Sequence, residues 1–250
     1  MRIRKIIKKL LLALGILAIV FLGYLFIGEA PQAEDITWGI SFSQKQAELL
    51  GLSWQDNYLA LLDDLQIPAI KIIAYWDLIE PETGKYIFND LDFQIEEAGL
   101  REAKVILAIG RKVPRWPECH IPEWARDLNQ KEQEERILRL IEKIVFRYRD
   151  SDVVWAWQVE NEPFFRFGIC PDISEDFLKD EIRLVRFLDS RDRPIIISDS
   201  GSNRFWFKTA RLGDKVSISL YRKPYEWGIS YPVQNMAIIR ISMHNKFLWF

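Results

Sequence analysis

The chain has 250 residues and a formal net charge of −2, and 49% of its residues are hydrophobic. This length and apolar content are enough for a sizeable core and exclude a disordered chain. The first 28 residues hold five bases and no acid, so the remainder is acidic. Nucleic-acid binding requires clustered positive charge, and the sequence therefore predicts no nucleic-acid partner.

Residues 10–27 form a run of eighteen uncharged residues directly after the basic cluster. A helix of that length approaches the thickness of a bilayer core, and the bases should stay on the cytoplasmic side, leaving the body of the protein outside. The segment after it lacks an A-x-A site, and Pro31 would hinder cleavage after Ala30, which favours an uncleaved signal anchor over a cleaved signal peptide. A core helix is disfavoured because the apolar residues run all the way round. The predicted organisation is an anchor at 1–28, a linker at 29–35 and one domain at 36–250.

The body alternates β-rich runs with amphipathic helical stretches. Six strands are predicted, at residues 36–43, 69–76, 103–110, 152–161, 193–201 and 215–224. Helices are predicted between them at residues 54–66, 91–103, 131–149 and 174–188, with Ser53 capping the first, and a further helix at 231–250.

Near-continuous apolar strands separated by single helices indicate a parallel sheet covered on both faces. Such a chain is either a doubly wound sheet or a closed barrel. No G-x-G-x-x-G follows the first strand, so a dinucleotide cofactor loses its main support. Long polar and aromatic loops follow the strand ends, as in a TIM barrel. The predicted fold class is therefore α/β, an incomplete (β/α)8 barrel with about six βα modules.

The chemistry-bearing residues lie at the end of the fourth strand, in "WAWQVENEPFF", residues 155–165. Alternation places Trp155, Trp157 and Val159 on one face of the strand, which runs into Asn161 and Glu162. A carboxylate at the carboxyl end of a barrel strand is typical of a catalytic residue. Only two histidines occur, and neither has a partner at metal-ligand spacing. We expect no metal site, no cofactor and no Ser-His-Asp triad.

"N-E-P" after a Trp-rich fourth strand resembles the clan A glycoside hydrolases. Residues 76–92 add a second motif, similar to the W-x-x-x-E-P-x-x-G-x-Y-x-F segment of the cellulase-like and β-galactosidase-like members. The resemblance covers residues 36–224. It implies a retaining O-glycoside hydrolase in which Glu162 is the general acid/base and Asn161 holds the sugar 2-hydroxyl. Glu160 is expected to be structural.

The resemblance carries over to other positions less completely. Tyr221 stands where several of these families place a tyrosine that hydrogen-bonds the nucleophile, although a buried structural tyrosine fits equally well. Lys71 stands where many relatives have an arginine, a departure because lysine cannot make the bidentate contact. Trp38, Trp76, Trp116 and Trp124 are interpreted either as sugar-stacking walls or as core residues.

The resemblance also implies a nucleophilic glutamate at the end of a seventh strand, which we expect to be absent from this chain. Glu226 is the nearest substitute, but it follows the sixth strand without an intervening helix. Three explanations stay open: a fragment of a longer reading frame, which the aromatic end favours, a frameshift, or a natural pseudoenzyme.

Cys119 and Cys170 follow the third and fourth strands, so their loops should meet at the mouth of the barrel. An extracytoplasmic compartment is oxidising, which favours a disulfide over two free thiols.

Three functions remain in competition. The first is a membrane-anchored glycosidase that acts outside the cytoplasm on an oligo- or polysaccharide. The second is a non-catalytic glycan-binding surface protein. The third is an intracellular doubly wound enzyme in which "NEP" is a coincidence.

Overall fold

The computed structural model describes residues 2–26, 37–200, 206–219 and 247–249. The chain divides into two compact units, one made of Met1–Asp35 and Tyr221–Asn245, the other of Ile36–Leu220 and Lys246–Phe250. In the described parts the helices are α1 Arg2–Phe26, α2 Gln44–Leu49, α3 Trp54–Asp63, α4 Trp76–Ile79, α5 Asn89–Leu100, α6 Gln130–Tyr148, α7 Glu175–Leu188 and α8 Phe207–Leu212. The strands are β1 Gly39–Ser41, β2 Ala69–Ile73, β3 Lys104–Ile109, β4 Val154–Val159, β5 Ile195–Ser200, β6 Lys215–Ser219 and β7 Phe247–Trp249.

Helix α1 is the described part of the first unit. Its segment Ile3–Gly23 is 21 residues long with a mean hydropathy of 2.4, and none of it is buried in protein. By length and composition, this helix is a candidate membrane anchor. A signal sequence has the same properties.

The strands of the second unit form one parallel sheet in chain order, from β1 to β7. A doubly wound sheet reverses its strand order at a switch point, whereas a barrel adds each strand beside the last. The chain order therefore favours the barrel, and the prediction of an incomplete α/β barrel is confirmed.

The end of the sheet differs from the sequence prediction. Phe247–Trp249 pairs with β6 as a seventh parallel strand, with Val216 opposite Phe247 and Ile218 opposite Trp249. The helix predicted over 231–250 is thus wrong for these last residues, while 220–246 lie outside the described residues. A strand of three residues carries too little alternation to be distinguished by pattern from the end of a helix.

Local sequence explains where the main helices begin. Ser53 accepts a hydrogen bond from the Asp56 N–H at the start of α3. Asn129 and Glu132 form a reciprocal capping box at the start of α6, which satisfies two backbone donors that the helix itself leaves unpaired. The buried residues of α6 recur at helical spacing and cover the outer face of the sheet.

Alternation along the strands separates the two faces of the sheet. Leu107 and Trp157 are paired in register and belong to the large core between sheet and helices. Ile106 and Ala156 belong to a small cluster on the other face. At the carboxyl ends this inner face changes from apolar to polar, which brings the ends of several strands together as one polar site.

Candidate active site

Glu162 lies in the turn that follows β4. It is 8% exposed. The backbone there is unusual, because Glu160 has φ 58° and Glu162 has φ 45°. Left-handed conformations are rare for residues other than glycine and cluster at functional sites. The turn aims two glutamates two residues apart into different surroundings.

Ser198, in β5, fixes the backbone of the turn. Its hydroxyl accepts a hydrogen bond from the Glu162 N–H at 2.8 Å and donates to Asn161 Oδ1 at 3.3 Å. Gln158 Nε2 lies within 3.4 Å of the same Asn161 oxygen. Asn161 and Glu162 are therefore held by the side chains of two neighbouring strands.

Burial raises the pKa of Glu162 above the ordinary value of a glutamate, and the nearby carboxylate of Asp199 raises it further. A hydrogen bond to Ser219, at the end of β6, and the positive charge of Lys71 act in the opposite direction. Because burial is the largest contribution, Glu162 keeps its proton to higher pH than an exposed glutamate. A general acid requires this property.

Lys71 enters the same site from β2. It is buried, and its Nζ donates to Gln158 Oε1 at 3.2 Å. Burial lowers the pKa of Lys71 to about 8, while Glu162 acts to raise it. The structure thus brings Lys71, Gln158, Asn161 and Glu162 together at one edge of the sheet.

Glu118 belongs to this cluster and was missed by the sequence reasoning. Its Oε2 accepts a hydrogen bond from Asn161 Nδ2 at 2.9 Å. Burial raises its pKa, and Asn161 and Lys112 oppose that rise. Glu118 directly precedes Cys119, whose loop was predicted to lie at the mouth of the barrel, and this neighbour was the signal that could have placed Glu118 in the site. The amide expected to hold a sugar hydroxyl is engaged by Glu118.

The loops after β3 and β4 are joined beside this cluster. Cys119 and Cys170 form a disulfide with their Cα atoms 5.3 Å apart. Trp116 and Phe167, one from each loop, contact edge to face with ring centroids 5.9 Å apart. Trp116 is 63% exposed, so its ring is open to a ligand and its sugar-binding role stays a prediction.

The motif at residues 76–92 has a structural role. Trp76 is 1% exposed and donates from Nε1 to Glu80 Oε2 at 2.9 Å. The other oxygen of Glu80 accepts from the Gly84 N–H at 2.8 Å. Of the two interpretations of Trp76, the structure supports the core residue over the sugar-stacking wall, because the ring is enclosed and leaves no face for a sugar.

Three other predicted positions have different outcomes. Trp38 is largely exposed just before β1, and its role stays a prediction. Trp124 donates from Nε1 to the Glu80 carbonyl and packs against the core, which gives it a structural place. Tyr221 and Glu226 lie outside the described residues.

Comparison with known proteins identifies the family. A family model described as β-galactosidase, glycoside hydrolase family 42, matches residues 53–191, more than half of the chain. The chain belongs to this family. No curated protein sequence matches it significantly. The family match includes β2 to β4 and the Asn161–Glu162 turn, and it confirms the resemblance to clan A glycoside hydrolases.

Solved glycosidases share the fold of this family 42 member. A GH5_18 protein from Streptomyces cattleya in complex with GlcNAc is 14% identical, with a TM-score of 0.58 over 76% of this chain and 52% of that one. The β-galactosidase of Halorubrum lacusprofundi is 16% identical, with a TM-score of 0.58 over 78% and 42%. An endo-β-1,4-xylanase from Gloeophyllum trabeum is 15% identical, with a TM-score of 0.60 over 87% and 71%. The chain therefore spans about half the length of the first two.

Proposed function

We propose that this protein is a retaining O-glycoside hydrolase in which Glu162 is the general acid/base. The observation that carries the proposal is a buried glutamate with a raised pKa at the carboxyl end of β4. Asn161 precedes it and would hold a sugar hydroxyl once Glu118 releases the amide. In retaining enzymes one carboxylic acid protonates the leaving oxygen while a second carboxylate, about 5 Å away, attacks the anomeric carbon.

The nucleophile is not among the residues of β7, which contain no carboxylate. The alternative function is a glycan-binding protein without catalysis. It is favoured by the exposed ring of Trp116, which lies in the loop after β3 at the carboxyl end of the sheet.

The named relatives suggest which substrates to test first. Two of the structurally similar enzymes, a β-galactosidase and an endo-β-1,4-xylanase, act on β-linked sugars and indicate the same class here. We expect the wild-type protein to hydrolyse a dinitrophenyl β-glycoside as well as the matching unactivated disaccharide. Glu162→Gln should lower kcat/KM for the disaccharide by about 10²–10⁴-fold, the usual contribution of a general acid. For the dinitrophenyl glycoside, the rate of the glycosylation step, in which the leaving group departs, should fall much less. A good leaving group needs little protonation.

Three results are distinguishable. If Glu162→Gln slows the glycosylation step equally on both substrates, the assignment of Glu162 as the general acid would be contradicted. Absence of hydrolysis by the wild type, together with saturable sugar binding that survives Glu162→Gln, would establish the binding protein. Exposed Glu135, on α6, provides the matched control Glu135→Gln, which should change neither rate.

The proposed location is outside the cytoplasmic membrane. The bases near the start of α1 would stay inside and the barrel would be exported. Protease added to intact cells should degrade the barrel of an anchored protein. A mature chain that begins after α1 would instead indicate a cleaved signal peptide and a secreted barrel, and protection from the protease would contradict export.

A further inference from the structure

A second buried carboxyl group lies behind the proposed acid. Glu160 accepts hydrogen bonds from two consecutive backbone donors in the turn after β3, from Arg111 N–H at 2.8 Å and from Lys112 N–H at 2.6 Å. Its own N–H donates to the Ile109 carbonyl at 2.9 Å. The Lys112 ammonium group donates to the Glu162 carbonyl at 3.0 Å. Glu160 thus joins the end of β3 to the turn that holds Glu162.

Glu181, on α7, completes this buried group. Glu160, Glu181 and Arg111 are each at most 1% exposed. Among the described residues, neither oxygen of Glu181 accepts a conventional hydrogen bond, while its carboxyl group interacts with that of Glu160. The guanidinium of Arg111 donates through Nη2 to the Asp172 carbonyl at 3.4 Å, and its Nε and Nη1 have no hydrogen-bond partner among the described residues.

Charge balance decides how many protons this group keeps. Two adjacent ionised carboxylates that are buried together repel each other, and among the described residues Arg111 is the cation that acts on both of them. Glu134 faces the pair from α6 and adds further negative charge. The backbone donors and Arg111 favour the ionised form of Glu160, so the proton belongs on Glu181. Burial, followed by the charge of Glu160, raises the pKa of Glu181 well above its usual range.

We propose that Glu160 and Glu181 share a single proton and together position the turn that carries Glu162. With one proton the group is neutral, made of one guanidinium, one carboxylate and one carboxylic acid. Without it, two carboxylates would compete for Arg111, and their repulsion would push Glu160 away from its two backbone donors at the end of β3. Glu160 and Glu181 are positioning residues. Their effect on the reaction rests on the proposed function, whereas their shared proton does not.

The shared proton has a thermodynamic consequence. Between the unfolded pKa of 4.5 and the raised folded value, the folded chain keeps a proton that the unfolded chain releases. Stability must then fall as pH rises through this window. Each pH unit multiplies the unfolding equilibrium constant by about ten per retained proton. Glu181→Gln keeps a hydrogen-bond donor at every pH and has no proton to release, so it lacks this dependence.

The first test is equilibrium unfolding of the full chain in mild detergent, from pH 5 upward. The unfolding constant of the wild type relative to Glu181→Gln should rise about tenfold per pH unit over the window. The exposed control Glu135→Gln should follow the wild type. Parallel curves for the wild type and Glu181→Gln would overturn the shared proton, whether or not the protein hydrolyses sugars.

The second test separates positioning from simple structural support. In Glu160→Gln, the single amide oxygen cannot replace the two carboxylate oxygens that accept from the Arg111 and Lys112 N–H groups. The resulting displacement of Glu162 should lower kcat about 100-fold with little change in KM. The alkaline limb of the pH–rate profile should also shift. Glu181→Gln should retain wild-type kcat near neutral pH and lose less activity at alkaline pH. Loss of stability in Glu160→Gln with kcat and the pH profile unchanged would refute positioning. If the wild type hydrolyses nothing, the proposed function fails, and the unfolding experiment still decides the shared proton.

Discussion

Gly110 tests how tightly the end of β3 is fitted to Glu160. It has φ +119°, and a Cβ built there would lie 2.7 Å from both Cδ and Oε1 of Glu160. An alanine would meet two costs. A side chain at positive φ costs about 1–2 kcal/mol. The overlap must also be relieved, either by overpacking, at about 1–3 kcal/mol, or by moving the carboxylate off its two backbone donors, at about 1.5–3 kcal/mol per charged hydrogen bond. If the overlap is relieved by overpacking, which is the less costly of the two, Gly110→Ala should lower the free energy of unfolding by about 2–5 kcal/mol.

The matched control is Gly51, which also has positive φ, +71°, but no atom within 4 Å of a built Cβ. Gly51→Ala should cost only the backbone contribution, about 1–2 kcal/mol. Urea unfolding followed by tryptophan fluorescence measures both variants. Repeating Gly110→Ala in a Glu160→Ala background removes the atoms that overlap, and the cost should fall toward the backbone value. Two results would refute the close fit between Gly110 and Glu160. The first is a Gly110→Ala variant that is destabilised no more than Gly51→Ala, and the second is a destabilisation by Gly110→Ala that stays the same in the Glu160→Ala background.

Three further predictions concern the site around Glu162. Lys71→Met removes a charge that lowers the pKa of Glu162, so the alkaline limb of the pH–rate profile should move to higher pH, and an unmoved limb would show that the two groups do not interact. Ser198→Ala leaves the buried Glu162 N–H without its 2.8 Å acceptor and should cost about 1–3 kcal/mol of stability by urea unfolding, against no measurable change if water replaces the hydroxyl. Replacing Cys119 and Cys170 by alanine opens a crosslink spanning a sequence separation of 51 and should lower the free energy of unfolding by about 2–4 kcal/mol; a variant as stable as the oxidised wild type would contradict this.

Local patterns were enough to predict most of the barrel. Strands buried on both faces form continuous apolar runs, and Ser53 occupies the predicted cap position. The place of Glu162 followed from the same logic, because a polar run at the end of such a strand must lie at the edge of the sheet.

The remainder depends on contacts that pattern does not encode. An aromatic residue at a strand end has the same sequence signature whether it packs inward, as Trp76 does, or stays open, as Trp116 does. Glu118 reaches Asn161 through the loop after β3, where Arg115 and Glu118 both have positive φ. The path of that loop is set by tertiary contacts, including the disulfide of Cys119. Sequence periodicity ends where such loops begin.

The two glutamates of "ENE" differ because their surroundings differ. Both oxygens of Glu160 accept backbone hydrogen bonds, and the side chain is sealed behind the turn. Its carboxyl group therefore cannot exchange a proton with a bound sugar. Glu162 is also buried enough to retain its proton, but Ser219 and Lys71 are among its neighbours and belong to the polar ends of other strands. A group that must give up and regain a proton needs this second kind of environment. In the proposed enzyme the two carboxyl groups would therefore have different tasks, with Glu160 holding the turn and Glu162 facing the substrate.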